Sequence, residues 1–99
     1  MPTYIVLLNF TDQGIRNVKQ TIDRANAFEA LVKKHGGTNK SLYWTQGAHD
    51  LVATIETPNE ESAMAILLTL GSLGNVRSQT LRAFSAEEME RIIGKLKVG

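Results

Sequence analysis

The chain contains no cysteine and only two prolines among its 99 residues. Without cysteine there are no disulfide bonds, thiol nucleophiles, CxxC redox motifs or thiolate metal sites. It also has no run of about 18 apolar residues of the kind that spans a membrane. The sequence therefore predicts neither a membrane span nor an enzyme that uses a thiol.

Neither sign of charge dominates, since 11 lysines and arginines stand against 10 aspartates and glutamates. A balanced chain lacks the basic surface that attracts nucleic acid or an anionic membrane. The N-terminal residues lack the basic-then-apolar order of a secretory signal. We therefore expect a cytoplasmic protein without a nucleic-acid or membrane partner. An apolar content of 42% suits one small domain spanning residues 1–99.

Hydrophobic periodicity predicts four strands and three long helices. The strands are expected at residues 3–10, 38–46, 50–56 and 75–84. The helices are expected from Ile22 to His35, from a Thr57-Pro58 start to Leu73, and from Ser85 to Leu96. The order βαββαβ, with right-handed connections and a further C-terminal helix, predicts an α+β fold of the ferredoxin-like type with a four-stranded antiparallel sheet.

Local signals fix several of these boundaries. Thr57 and Ser85 each stand three residues before a glutamate, the pattern of a capping box at a helix start. Thr11 to Gly14 is expected to form a turn or a short capped helical turn. The helix from Ala63 to Leu73 is apolar nearly all round, so we expect it to be buried on more than one side.

The first strand, Thr-Tyr-Ile-Val-Leu-Leu-Asn-Phe, is apolar at both parities, as expected for a strand covered on both faces. The helices of a ferredoxin-like chain cover only one face of the sheet. The second face should therefore be buried by another molecule, and a copy of the same sheet is the simplest partner. The sequence predicts a homodimer packed sheet to sheet, with a higher oligomer also open.

Two large aromatics, a histidine and an aspartate surround Gly47 in the predicted hairpin. A turn of two or four residues places one set of side chains on the helix-covered face: Leu42, Trp44, His49, Leu51, Ala53 and Ile55. The opposite set is then Tyr43, Thr45, Asp50, Val52 and Thr54. A three-residue loop with a bulge would break this parity.

Three separated segments carry a resemblance that runs almost end to end. They read MPTYIVLLNFTDQGIRNVK, YWTQGAHDLVATIETP and LGSLGNVRSQTLRAFSAEE. With these segments the chain resembles the GYD domain family, small proteins that are similar to the dimeric α/β-barrel superfamily. The usual family pattern is Gly, any residue, Tyr, Asp, whereas this chain has His49 at the tyrosine position. The resemblance implies the same fold and dimer, and no definite activity.

His49 and Asp50 are the candidates for proton transfer, but neighbours on a strand point to opposite faces and do not easily form one acid–base pair. A histidine near a turn is typically partly buried with one satisfied nitrogen. A carboxylate there commonly caps backbone amides. Tyr43 is the better aromatic ligand contact, since Trp44 is expected in the core. Arg77 and Arg82 have opposite parity, so at most one faces a cavity between the sheets.

Three hypotheses follow for function. The leading one is a dimeric protein that binds a small, mostly apolar ligand with Tyr43, His49, Asp50 and either Arg77 or Arg82. The second is a cofactor-independent monooxygenase or isomerase, for which the resemblance offers precedent, with His49 or Asp50 moving the proton. The third is a structural module that binds another protein through its last helix. No cofactor or metal site is predicted, because no ligand spacing occurs.

Overall fold

A computed structural model describes residues 1–97, and the sheet in it has the strand order β2-β3-β1-β4 with every neighbouring pair antiparallel. The strands are β1 Thr3–Phe10, β2 Thr38–Trp44, β3 Leu51–Glu56 and β4 Val76–Ala83. The helices are α1 Asp12–Arg16, a 3-10 turn Val18–Gln20, α2 Thr21–Lys34, α3 Glu60–Ser72 and α4 Ala86–Ile93. The predicted ferredoxin-like order, with its additional C-terminal helix, is confirmed.

One face of the sheet, the helix face, packs against α2 and α3. Val6 of β1 and Ile55 of β3 are fully buried there, and they meet Val32 of α2 and Ile66 of α3. Burial alternates along β3 and along β1 as far as Leu8, as expected for a sheet covered on one side. No helix within residues 1–97 is long and apolar enough to cross a membrane.

The helix ends follow ordinary capping chemistry. Thr11 caps α1, because its side chain accepts a hydrogen bond from the Gly14 amide at 3.1 Å. The predicted capping box at Ser85 is present. The Ser85 hydroxyl accepts from the Glu88 amide, and the Glu88 carboxylate accepts from the Ser85 amide. Gly36, with φ of +79°, turns the chain out of α2.

The start of α3 differs from the prediction. The cap is Asn59 rather than Thr57, and its side chain accepts from the Ser62 amide at 2.8 Å. Thr57 is fully buried and donates its hydroxyl to the Asn59 carbonyl at 2.7 Å. The helix begins two residues later because the asparagine oxygen reaches the first free amides and the threonine hydroxyl is already engaged.

The surface of α3 also corrects an expectation. Only Ala63 and Ile66 are buried in this helix, whereas Met64 and Leu68 are 57% and 61% exposed. The chain therefore covers one side of α3 and leaves a second apolar side bare. The prediction of burial on more than one side is wrong for the single chain.

Candidate functional site

The surface opposite the helices, called the open face below, carries the residues of the other parity in each strand. Its centre is formed by Leu7 and Val52, which are paired across β1 and β3, and by Ile5 and Leu81, which are paired across β1 and β4. Leu81 is 44% exposed and the other three are half-buried. The side chains around this centre are polar: Thr3, Asn9, Ser41, Thr54, Glu56, Arg77 and Gln79. An apolar centre inside a polar border is typical of a protein–protein interface.

The β2–β3 hairpin closes one end of this face. The Thr45 amide donates to the Asp50 carbonyl at 2.8 Å, and the Thr45 hydroxyl donates to the His49 carbonyl at 2.7 Å. Four residues, Gln46 to His49, therefore form the turn, in which Gly47 has φ of +102°. The register confirms the four-residue parity, since Leu42 pairs with Ala53 and both lie on the helix face.

Asp50 continues the β1–β3 pairing beyond its last regular pair. Its carboxylate oxygen Oδ2 accepts from the Phe10 amide at 2.8 Å, and its own amide donates to the Leu8 carbonyl at 2.8 Å. The side chain thus replaces a backbone carbonyl that the strand no longer supplies at this point. This is the amide-capping role expected from the sequence. One carboxylate oxygen of Asp50 is therefore used in a structural hydrogen bond.

His49 lies on the other side of the sheet from the one predicted. Its Nδ1 is 2.9 Å from Oδ1 of Asn9, an open-face residue, and Asn9 Nδ2 donates to the Ala48 carbonyl at 2.8 Å. Strand alternation fails here because His49 belongs to the turn. Since Asn9 Oδ1 can only accept, His49 Nδ1 carries the proton, and Nε2 has no hydrogen-bond partner within residues 1–97.

The two aromatics of β2 stand on opposite faces of an edge strand. Tyr43 lies on the open face and is 65% exposed. Trp44 lies on the helix face, and its indole Nε1 donates to the Thr21 hydroxyl at 2.9 Å. Trp44 is on the predicted face, but it remains 42% exposed, so the prediction that it lies in the core is wrong. Trp44 is the last residue of an edge strand, and its partner Thr21 is the first residue of α2, so both lie at the border of the helix-covered face.

The two arginines of β4 are separated by the sheet, as their parity predicted. Arg77 is opposite Asn9 in the register of the open face, makes no hydrogen bond or ion pair within residues 1–97, and also borders the groove beside α3. Arg82 has its guanidinium carbon 4.4 Å from the Phe84 ring, and 3.8 Å separates its Nη2 from the Glu88 carboxylate. Arg82 therefore attaches α4 to the sheet and does not face the open surface.

Of the predicted site residues, the structure brings Tyr43, His49 and Arg77 to the hairpin end of the open face. Asp50 is engaged by the backbone, and Arg82 lies on the helix face. His49 and Asp50 do not form an acid–base pair, because each contacts a different group of β1. No group of three or more potential metal ligands occurs in the described residues 1–97.

Two hollows on the helix side escaped the sequence analysis. A cavity of about 110 Å³ lies between α2, the end of α3 and the sheet, and its walls are mainly apolar: Leu8, Phe10, Phe28, Leu31, Leu42 and Leu51. A groove of about 860 Å³ runs between α3 and β4. The signal for the groove was present in the sequence, since α3 is apolar around more of its circumference than one chain can cover.

The strand order and the helices on one face of the sheet define a ferredoxin-like α+β protein, and in this chain the other face is bare. The GYD domain model matches residues 4–93, and the chain belongs to this family. A Thermus thermophilus protein named glutamine synthetase and cystathionine beta-lyase binding protein is 28% identical over 98 residues. That alignment covers 98% of this chain and the whole of the relative.

Solved structures share the fold. The crystal structure of TTHA0845 from Thermus thermophilus matches with a TM-score of 0.57 at 25% identity and covers 87% of this chain and 96% of its own. The structure of FFRP-DM1 matches with a TM-score of 0.60 at 17% identity, over 85% of this chain and all of its own. The second of these shows likeness of fold alone.

Proposed function

We propose that the protein is a binding module in which two copies pair through their open faces and the pair binds another protein. The observation that carries this proposal is the apolar centre of the open face with its polar border. Each apolar side chain covered there contributes about 25 cal/mol per Å² of area removed from water. Two such sheets pack face to face at about 10 Å, which brings the Leu7 and Val52 pairs of both copies into one layer.

The role in binding another protein is supported by the name of the Thermus relative, which states that it binds glutamine synthetase and cystathionine beta-lyase. In this chain, Trp44 of edge strand β2 suits such a contact, because it is 42% exposed on the helix face, which the sheet pairing leaves free. Tyrosine and tryptophan supply large rigid areas and are enriched where interfaces gain most of their free energy. Trp44 is already held in place by Thr21, so less conformational freedom is lost when a partner covers it.

The pairing is tested by sedimentation at micromolar concentration. We expect the wild type to be at least a dimer, and Leu7→Asp and Leu81→Asp to sediment as smaller species. The matched control is Ala30→Asp, at an exposed position of α2, which should leave the mass unchanged. Leu81 is on an edge strand, so its variant folds even if Leu7→Asp does not. A monomeric wild type, or no change in either folded variant, contradicts the pairing.

Binding of another protein is tested with the glutamine synthetase and cystathionine beta-lyase of the source organism on a biosensor. Trp44→Ala should weaken the binding at least tenfold, whereas Lys40→Ala on the same strand should change it little. If neither enzyme binds the wild type, these two partners are wrong for this chain. If both bind and Trp44→Ala has no effect, the proposed contact through β2 is wrong.

A small ligand between the two sheets is a second candidate, favoured by the polar group at the hairpin end of the open face. Within residues 1–97, His49 Nε2 and the Arg77 guanidinium have no partners there, while Leu7 and Val52 are adjacent. These groups suit a mostly apolar molecule with one carboxylate. Native mass spectrometry of the protein as isolated should show the added mass, and Arg77→Gln should remove it. The enzyme hypothesis requires His49 or Asp50 to move a proton. Asp50 Oδ2 accepts from the Phe10 amide and His49 Nδ1 contacts Asn9 Oδ1, so the two side chains would have to act separately.

A further inference from the structure

We propose that α4 of one copy docks in the α3 groove of a second copy, so that two chains exchange their C-terminal helices. The α4 stripe consists of Met89, Ile92 and Ile93 of the helix and of Leu96, which lies three residues after the helix ends. The α3 groove is the hollow between α3 and β4 that Met64, Leu67 and Leu68 line on the α3 side. The exchange uses surfaces that the sheet pairing leaves free and goes beyond the proposed function.

Three of the four residues of the α4 stripe are exposed, and Ile92 is half-buried by its own chain. Met89, Ile93 and Leu96 are 47%, 55% and 65% exposed, and none of the residues of α4 is buried. The helix has only eight residues, and helices of that length are marginal in water unless an apolar face packs against something. A clean stripe with acidic and basic residues on the remaining faces is typical of a helix that lies against another surface.

The connection between β4 and α4 keeps the stripe away from the groove of its own chain. Only Phe84 and Ser85 separate the two elements. Arg82 stacks on Phe84 and pairs with Glu88, whose other carboxylate oxygen accepts from the Ser85 amide at 3.0 Å. These contacts fix the first turn of α4, and the helix makes at most marginal contact with the other elements.

The α3 groove has the shape and the polarity that the stripe requires. Its volume is about 860 Å³, and Met64 and Leu68 on its wall are more than half exposed. The helix-side residues Ser78 and Thr80 of β4 form its floor. An amphipathic helix laid in an apolar groove is a recurrent mode of protein recognition.

Charge decides in favour of a second copy as the occupant. Glu60 and Glu61 stand at one end of the groove. The C-terminal half of α4 and the residues after it carry Arg91, Lys95 and Lys97 beside the stripe. The acidic end of the groove therefore complements the basic end of the helix. Each chain has one α4 stripe and one α3 groove. A reciprocal exchange between two chains therefore buries both stripes and both grooves without a further copy.

The absence of cysteine from the chain allows a direct test by disulfide cross-linking. Leu68→Cys and ¹⁵N-labelled Ile93→Cys are mixed and oxidised, and the linked peptides are identified by mass. We expect a labelled-to-unlabelled dimer joined at these two positions. Ala30→Cys mixed with Ile93→Cys is the control and should not cross-link. All three positions are exposed, so the variants should fold like the wild type.

Two results overturn the exchange. One is the absence of the mixed dimer. The other is a Leu68→Cys/Ile93→Cys double variant that closes within one chain and stays monomeric. The test is separate from that of the sheet pairing, because an unchanged mass of Leu7→Asp would reject the pairing and leave the cross-link result standing.

Discussion

The carboxylate of Asp50 accepts a hydrogen bond of 2.8 Å from the backbone amide of Phe10, which lies 40 residues away. This contact joins the hairpin to the end of β1 and holds the turn that positions His49. The residue that looked most like a catalytic acid in the sequence is thus part of the scaffold of the candidate site. Its replacement should first affect stability.

We predict that Asp50→Ala lowers the free energy of unfolding by about 1–3 kcal/mol, because the Phe10 amide loses its acceptor in a partly buried place. Asp50→Asn keeps an acceptor oxygen and should cost less than half as much. Urea unfolding of both variants measures the difference. Equal losses would show that the charge matters and the hydrogen bond does not.

Gly14 is buried against the backbone of Asn75, whose carbonyl oxygen occupies the space that a Cβ would need. Gly14→Ala should therefore destabilise the protein by about 2–4 kcal/mol, since backbone atoms cannot move aside cheaply. Gly71→Ala is the control within α3, where the space is open. It should stabilise by up to about 1 kcal/mol through helix propensity. Thermal unfolding ranks the two, and similar shifts would contradict the packing argument.

The hydrogen bond between the Trp44 and Thr21 side chains connects β2 to the start of α2. Trp44→Phe and Thr21→Val should each cost about 0.5–1.5 kcal/mol, and the double variant should cost less than the sum, because both remove the same bond. Unfolding followed by circular dichroism suits all four proteins of the cycle. Strict additivity would mean that the bond does not form in solution.

The Ser85 backbone amide, with help from Arg82 and Arg91, lowers the pKa of the Glu88 carboxyl below its ordinary value near 4.5. A carboxyl with a lowered pKa in the folded state stabilises that state above its unfolded pKa and stops doing so as the pH falls through the lowered value. The attachment of α4 should therefore be intact at neutral pH and weaken only below about pH 4.5. NMR titration of Glu88 measures this.

Arg82→Gln supplies the control for that titration. It should move the Glu88 pKa only part of the way back, because the Ser85 amide is the larger cause. Glu88→Gln should remove the change in α4 helicity with pH. A Glu88 that titrates at its ordinary value in the wild type would show that the cap is open in solution.

The order of the strands and helices was predictable because it depends on local spacing. The β-branched and aromatic run along residues 3–10 and the capping box at Ser85 are each recognised from a few neighbouring residues. A four-residue turn also determines which residues of β2 and β3 face the helices. The fold class and the bare second face of the sheet came from these signals alone.

The candidate site was less predictable, since its contacts join residues far apart in sequence. Alternation placed His49 in the core, yet Asn9 draws it to the open face from the turn. Trp44 was expected inside, but it is the last residue of an edge strand and remains exposed. Arg82 and Arg77 were equal candidates until the register placed one beside α4 and the other beside Asn9.

The sequence by itself determined which segments become strands and helices, and that the first strand is apolar on both of its sides. These properties depend on side chains within a few residues of one another, where periodicity and caps dominate. Only the tertiary structure decided which polar groups remain free and which apolar surfaces stay bare. Those outcomes depend on the strand register and on how much of the sheet each helix covers. Neither property can be read from a short stretch of the sequence.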